Sequence, residues 1–197
     1  MNTKIEQAVL LDPSARVGDE TRIWHHSQIR EDAIIGSRCV IGRNVYVGPG
    51  VQVGNDCKIQ NNSLIYEPAV ISEGVFIGPG VILTNDQYPR AVNPNQTLKT
   101  ASDWHQVGVS IGVGASVGAG SVCVAPVQIG AWALVAAGSV VIRDVPAFAL
   151  VVGNPARQIG WVGKSGHRLK EEEGCFKCPV TGDLYKLVDN VMTEADK

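Results

Sequence analysis

The sequence predicts an all-β solenoid made of three-sided coils, and three observations predict it. Aliphatic residues recur at every sixth position: Ile5, Leu11, Val17, Ile23, Ile29, Ile35, Ile41, Val47, Val53, Ile59, Ile65, Ile71, Ile77 and Leu83. All fourteen are Ile, Val or Leu, types that fill 53 of the 197 positions, so chance agreement at one phase is on the order of 10⁻⁸. The step returns after a polar gap at Ile111, Val117, Cys123, Ile129, Val135 and Val141. The 22 glycines are many for a helical protein and suit frequent turns.

A six-residue period is neither the 3.6 of an amphipathic helix nor the 2 of a simple half-buried strand. It fits one short strand plus one turn. The aliphatic points inward, and Gly18, Gly36, Gly42, Gly48, Gly54 and Gly78 follow it, read here as permitting a tight corner. A small or β-branched residue stands four positions after the aliphatic, as at Ala15, Thr21, Ser27, Ala33, Cys39 and Cys57, where the interior narrows. Three hexads then close one coil of 18 residues, and coils stack at the ~4.8 Å strand spacing. Columns at that spacing read Ile5, Ile23, Ile41, Ile59, Ile77; then Leu11, Ile29, Val47, Ile65, Leu83; then Val17, Ile35, Val53, Ile71. Each coil buries its inner face only against its neighbours. Cys39 and Cys57 fall one coil apart and are read as a stacked, reduced pair.

Composition excludes several classes. With 17 Lys+Arg against 19 Asp+Glu and no basic run, nucleic acid is not the expected partner. No apolar stretch reaches the ~20 residues of a membrane span. The segment Met1 to Glu6 lacks the apolar core of a leader, so the expectation is a soluble cytoplasmic protein. Five cysteines do not form a disulfide framework in such a chain. Cys175-Phe176-Lys177-Cys178 has the spacing of half a zinc site, but no second pair exists and only His167 lies near, so no metal is expected.

Between Leu83 and Ile111 the six-residue phase is lost, and the segment 84–106 is polar, with Pro89 and Pro94. It reads as a loop ejected from the coil, a common carrier of function. After Arg143-Asp144-Val145-Pro146 and the run Ala147 to Val152, Gly153-Asn154-Pro155 breaks the pattern. This divides the chain into a solenoid over residues 1–157 and an extension over 158–197, with the acidic run Glu171 to Glu173, expected to hold short helices and loops.

The hexads over about residues 5–157, together with Val152-Gly153-Asn154-Pro155-Ala156-Arg157, resemble the left-handed parallel β-helix of the hexapeptide-repeat acyltransferases. That resemblance implies the handedness, a coenzyme A thioester donor and a homotrimer with sites between subunits. A narrower resemblance is to nucleotide-sugar N-acetyltransferases acting on the 3-amino group of UDP-2-acetamido-3-amino-2,3-dideoxy-glucuronate (the WbpD/WlbB type of lipopolysaccharide biosynthesis). Its segments are Ile23-Trp24-His25, Gln60-Asn61-Asn62-Ser63 with Tyr66, Thr84-Asn85-Asp86 with Pro89-Arg90, and Cys178-Pro179-Val180-Thr181-Gly182 with Tyr185. The family usually carries an aromatic where this chain has His26. Enzymes acting on dTDP-3-amino sugars share much of this layout.

The resemblance implies that Asn85 orients the sugar or its amine and that Asp86 orients the amine or accepts its proton; the bland alternative is an Asx turn where the strand leaves the coil. Sugar-hydroxyl-acetylating relatives place a catalytic His in this region, and here none follows closely, His105 lying nineteen residues past Asp86. A near-neutral amine attacks a thioester without a strong protein base. His25, Arg30, Asn61, Asn62, Tyr66 and Arg90 are candidate substrate contacts, with Arg suited to phosphate by its two-pronged donation. Asn61 and Asn62 are alternatively corner residues with unusual backbone angles. Motif matching makes Ala119, Ala137, Arg143 and Arg157 candidate coenzyme contacts, against a reading as crowded-corner alanines and solvated charges. Two other classes compete. A carbonic-anhydrase-like β-helix needs three His per zinc, and the four here, at 25, 26, 105 and 167, are poorly spaced for it. A non-catalytic scaffold has no use for the ejected Asn-Asp loop.

Overall fold

The computed structural model describes residues 3–172 and 174–195. Met1 and Asn2 of the leader-test segment, Glu173 of the acidic run, and Asp196 and Lys197 of the extension lie outside the described residues. The chain winds into a three-sided parallel β-helix. Face 1 stacks eight parallel strands from Lys4–Ile5 to Ala149–Val152, face 2 seven from Leu10–Leu11 to Val140–Val141, and face 3 six from Arg16–Val17 to Val127–Ile129. Register follows the sequence columns: Ile5, Ile23, Ile41, Ile59 and Ile77 pair in turn on face 1. Across the ejected segment, Ile77 pairs with Val117, Leu83 with Cys123 and Ile71 with Ile111, so the coil resumes in phase.

The inward aliphatics form one continuous core, with Ile23, Ile41, Ile59 and Ile77 wholly buried. Ile5, with no coil beneath it, is 44% exposed. The small residues four positions on also bond between coils. Thr21 Oγ1 donates to Gly36 O (2.7 Å), Ser27 Oγ to Gly42 O (2.7 Å), Cys39 Sγ to Gly54 O (3.1 Å) and Cys57 Sγ to Ser72 O (3.1 Å). A hydroxyl or thiol at these buried positions therefore has its partner, as buried polar groups require. Cys39 and Cys57 are free thiols, each directed to a different carbonyl.

The role of the glycines differs from the sequence expectation. Gly18, Gly36, Gly42, Gly54, Gly78 and Gly118 do not sit at the left-handed corner positions. A Cβ on any of them would lie 2.5–2.7 Å from a backbone nitrogen of the next coil. They are glycine because two backbones meet there. The left-handed residue comes two positions later and is mostly polar, as at His26, Asn44, Asp56 and Asn62, or glycine, as at Gly80, Gly120 and Gly138, with Trp132 an apolar exception.

The extension is not helical. Arg157–Trp161 turns back antiparallel on Ala149–Val152, and Lys170–Glu172, Cys175–Lys177, Leu184–Val188 and Val191–Glu194 form an antiparallel sheet. Residues 184–188 alternate exposed positions with the buried Tyr185 and half-buried Leu187, and Asp189 and Asn190 both have positive φ (49° and 61°), the signature of a two-residue hairpin turn. Phe148, Leu169, Cys178, Tyr185 and Met192 form a second, smaller core, with the Phe148 and Tyr185 rings 5.4 Å apart. No helix among the described residues is long and apolar enough to cross a membrane.

Gly118→Ala should unfold at distinctly lower urea than Gly120→Ala, whose Cβ would meet open space. The second carries only the left-handed penalty of about 1–2 kcal/mol; the first carries no such penalty but drives its methyl group to 2.5 Å from the Ala137 nitrogen, a backbone clash that costs about 3 kcal/mol or more. Equal unfolding midpoints would contradict the assigned role.

Candidate functional site

The solenoid sorts the candidate residues onto two edges. The edge between faces 1 and 2 holds one column two residues past the inward aliphatic: His25, Arg43, Asn61, then Ala119 and Ala137. The next column, one residue on, includes His26, Asn44 and Asn62, all with φ between 55° and 62°. At the lower end, Trp24, His25, His26, Val40, Gly42, Arg43, Gln60 and Asn61 line a cleft of about 610 Å³. The Arg22 guanidinium lies over the Trp24 ring at 3.9 Å and bonds Glu6 at 2.8 Å. Bonds from Lys4 and Arg22 hold the Glu6 carboxyl down at about 2. His25 and His26 are both exposed and both lie in the corner.

Asn61 and Asn62 have structural contacts of their own. Arg43 N–H donates to Asn61 Oδ1 (2.9 Å), and Asn44 Nδ2 donates to Asn62 Oδ1 (3.1 Å). At the upper end, Ala119 and Ala137 are exposed. The flanking Gly120 and Gly138 have open space where a Cβ would stand, leaving a bare backbone strip. Segment 153–156 crosses the top of this edge, with Ala156 N–H on Val140 O (2.8 Å), and Arg157 follows it, exposed.

The edge between faces 2 and 3 holds Arg30, Tyr66, Asn85, Asp86 and Arg143, with Arg90 in the ejected loop. Arg143 is therefore on a different edge from Ala119 and Ala137. Arg30 is already engaged: Nε and Nη2 bond both oxygens of Glu31 at 2.6 and 2.7 Å, which raises the guanidinium's pKa and lowers that of Glu31. Arg30 Nη1 also lies 3.4 Å from Tyr46 Oη, and the Tyr46 and Tyr66 rings are 5.2 Å apart. Burial, then the nearby Glu67 carboxylate, pushes the Tyr46 phenol up.

The loop leaves after Ile82–Leu83 and re-enters at Val109–Ile111. Its mouth is closed by Val107 N–H to Asn85 O (3.1 Å), and the Thr84 hydroxyl accepts Ala125 N–H (2.9 Å). The Asn85 side chain has no bond to the rest of the loop among those the structure shows. Asp86 Oδ1 accepts Tyr88 N–H at 2.8 Å, the Asx turn named as its alternative role. Further out, Val92 bridges Leu98 and a single turn of 3₁₀ helix covers Ala101–Asp103. Tyr88 and Leu98 are each 74% exposed, and His105 is exposed too.

Two functional candidates escaped sequence reading. Arg43 completes the His25–Asn61 column at the 18-residue spacing, a signal available in the sequence. Glu67 shares the column of Glu31 and Asn85 by the same arithmetic. In the extension, Cys178 is buried against Ser165 Oγ (3.2 Å) while Cys175 faces an outer hollow with Glu172, Lys177 and Leu184. Among the described residues no group of three or more His, Cys, Asp or Glu is placed to hold a metal.

The coil and its edges define the class. Residues 14–49, 32–67 and 50–85 match the family profile described as bacterial transferase hexapeptide (six repeats). Residues 107–143 match that of the hexapeptide repeat of succinyl-transferase. Together these matches cover more than half of the chain, and it belongs to the hexapeptide-repeat transferases.

Among curated relatives, a dTDP-3-amino-3,6-dideoxy-alpha-D-galactopyranose 3-N-acetyltransferase of Aneurinibacillus thermoaerophilus is 37% identical over 81 residues, 41% of this chain and 42% of that protein. Serine acetyltransferase 1, chloroplastic, of Arabidopsis thaliana is 45% identical over 96 residues, 49% of this chain and 29% of that protein. Each match thus spans less than half of the relative. LpxA, a UDP-N-acetylglucosamine acyltransferase from Bacteroides fragilis, superimposes with TM-score 0.66 at 17% identity, over 81% of this chain and 61% of that one, a likeness of fold.

Native protein should expose one fast-reacting thiol, Cys175, to a disulfide reagent, and all five after unfolding. Burial pushes the Cys123 thiol up to about 12, and the side-chain contact with Cys39, then burial, raises that of Cys57. Bonds from Ser165 and Thr181 draw Cys178 down to about 6, yet its side chain is 1% exposed, so access limits its reaction. Rapid loss of two or more thiols from folded protein would contradict this burial.

Proposed function

We propose that this protein is an acetyl-CoA-dependent N-acetyltransferase acting on the 3-amino group of a nucleotide-linked sugar. The observation that carries the reading is the break at one edge of the solenoid. A loop leaves an otherwise uninterrupted hexapeptide coil, with Asn85 at its closed mouth and the apolar side chains of Tyr88 and Leu98 uncovered. The name of the Aneurinibacillus relative, a sugar 3-N-acetyltransferase, supports the acceptor class.

In this reading Asn85 orients the sugar amine against the thioester, the nitrogen attacks the carbonyl carbon, and the coenzyme thiolate leaves. Positioning of this kind supplies several kcal/mol. No histidine follows Asn85-Asp86 closely in the sequence, the loop's His105 lying nineteen residues past Asp86, and that favours an amine acceptor over a hydroxyl one, and so over the serine-type reaction of the second relative. The bare strip at Ala119 and Ala137 suits a pantetheine arm that bonds to backbone, with Arg157 near the coenzyme phosphates. His25, Asn61 and Asn62 fall on the sugar-nucleotide side of the same edge, and Arg30, Tyr66, Arg90 and Arg143 on the other.

Face 2 separates the two edges, so one protomer does not bring Asn85 to Ala119 and Ala137. A homotrimer in which one protomer's loop edge meets its neighbour's alanine edge does, and it also covers Tyr88 and Leu98. The motif segments favour UDP-2-acetamido-3-amino-2,3-dideoxy-glucuronate as acceptor, in surface-polysaccharide (O-antigen) synthesis in the cytoplasm. The relative's name favours a dTDP-3-amino sugar as the second reading.

Thiol release from acetyl-CoA, measured against a panel of UDP- and dTDP-amino sugars, should single out one 3-amino sugar; silence across the panel, with no acetyl-CoA binding by calorimetry, would leave a scaffold. Asn85→Ala should cut turnover by about 10²–10³ while acetyl-CoA affinity changes little; equal losses in both would refute its role. Light scattering should report three times the chain mass, and a monomer would refute the shared site.

A further inference from the structure

The edge that carries Asn85 holds an unpaired carboxylate whose origin lies in the stacking of the coils. Two residues past the inward aliphatic, a polar side chain reaches down onto the glycine of the coil before it. Asn55 Oδ1 lies over Gly36 and accepts Ser37 N–H at 2.9 Å; Asn61 Oδ1 lies over Gly42 and accepts Arg43 N–H at 2.9 Å. Glu67 occupies the same place over Gly48, where its Oε2 would collide with any Cβ. The residue after Gly48 is Pro49, which has no N–H. Glu67 Oε2 is accordingly buried with no hydrogen-bond partner.

A buried carboxylate oxygen without a donor is costly, and a ligand N–H that reaches the group recovers that cost. The neighbours do not supply one. Arg30, a cation of this edge, is taken up by both oxygens of Glu31, and Tyr46 Oη lies against Arg30. Glu67 is half-buried, and the next residue up its column, one strand spacing (~4.8 Å) away, is Asn85 at the loop mouth. The loop's histidine, His105, lies nineteen residues past Asp86 in the sequence and its side chain is exposed.

We propose that Glu67 is the proton acceptor of the transfer: its carboxylate receives an N–H of the acceptor amine beside Asn85 and takes the proton when the amide forms. The nitrogen lone pair makes the C–N bond, the C–S bond breaks with its electrons on the coenzyme sulfur, and the proton passes from nitrogen through Glu67 to that thiolate. Free thiol and N-acetyl sugar result, with no other reactant. The assignment rests on the acyl-transfer reading above.

The test compares wild type, Glu67→Gln, Glu67→Asp and Pro49→Ala in the thiol-release assay, with melting temperature recorded for each. Glu67→Gln keeps the shape but takes no proton, and its kcat should fall by roughly 10² or more with KM for acetyl-CoA unchanged; Glu67→Asp should restore part of it. Pro49→Ala supplies the missing N–H beneath Glu67, as Arg43 does for Asn61, and should lower kcat several-fold without lowering the melting temperature. A folded Glu67→Gln with kcat within three-fold of wild type overturns the proposal. If Glu67→Gln does not fold, Pro49→Ala decides: reduced kcat supports the assignment and unchanged kcat overturns it. A wild type inactive on every amino sugar removes the acyl-transfer reading and this role with it, whereas an active wild type matched by Glu67→Gln removes this role alone.

Discussion

Stacked coils of this protein touch backbone to backbone, and that contact constrains everything else. Strands of adjacent coils lie ~4.8 Å apart, and just past each inward aliphatic the chain of the next coil crosses over it. At Gly36, Gly78 and Gly118 there is no volume for even a methyl group. The constraint propagates outward. It sets the register of all three faces, requires the buried hydroxyls and thiols to bond between coils, and aligns corner side chains into columns. A column is thus a mechanical consequence of close approach, and both candidate edges are columns.

The two edges put the same geometry to different uses. On the edge between faces 1 and 2, Asn61 and Asn62 spend their side-chain oxygens on the coil before them, and small residues further up leave the backbone bare. On the edge between faces 2 and 3, the regular ladder is broken beside Glu67 and again above it. Pro49 withholds a donor, and the chain leaves the coil at Thr84. Chemistry-bearing groups collect where the repeat departs from its own rules, because a satisfied ladder has no polar group to offer a ligand.

Much of this was legible beforehand. The period of six named the core residues, and the lost phase between Leu83 and Ile111 located the loop together with Asn85 and Asp86 at its root. Other features were hidden for identifiable reasons. Gly18 or Gly36 looks like a turn glycine until the next coil is laid over it. The extension's strands are hard to see in the sequence because the alternation at 184–188 is short and mixed with lysine, and the Asp189-Asn190 turn that joins two of them lacks glycine. Arg30 looked like a phosphate ligand because sequence does not reveal that Glu31 folds back onto it.

By itself, then, the sequence determined the coil, its contents and the point of its interruption, since a strict period forces one side chain in six into a common interior. Only the tertiary structure decided which outward residues share an edge and which already have partners. Those contacts join residues 18 positions apart or more, across coils and through the loop, and hydrogen-bond satisfaction belongs to the pair and never to the single residue.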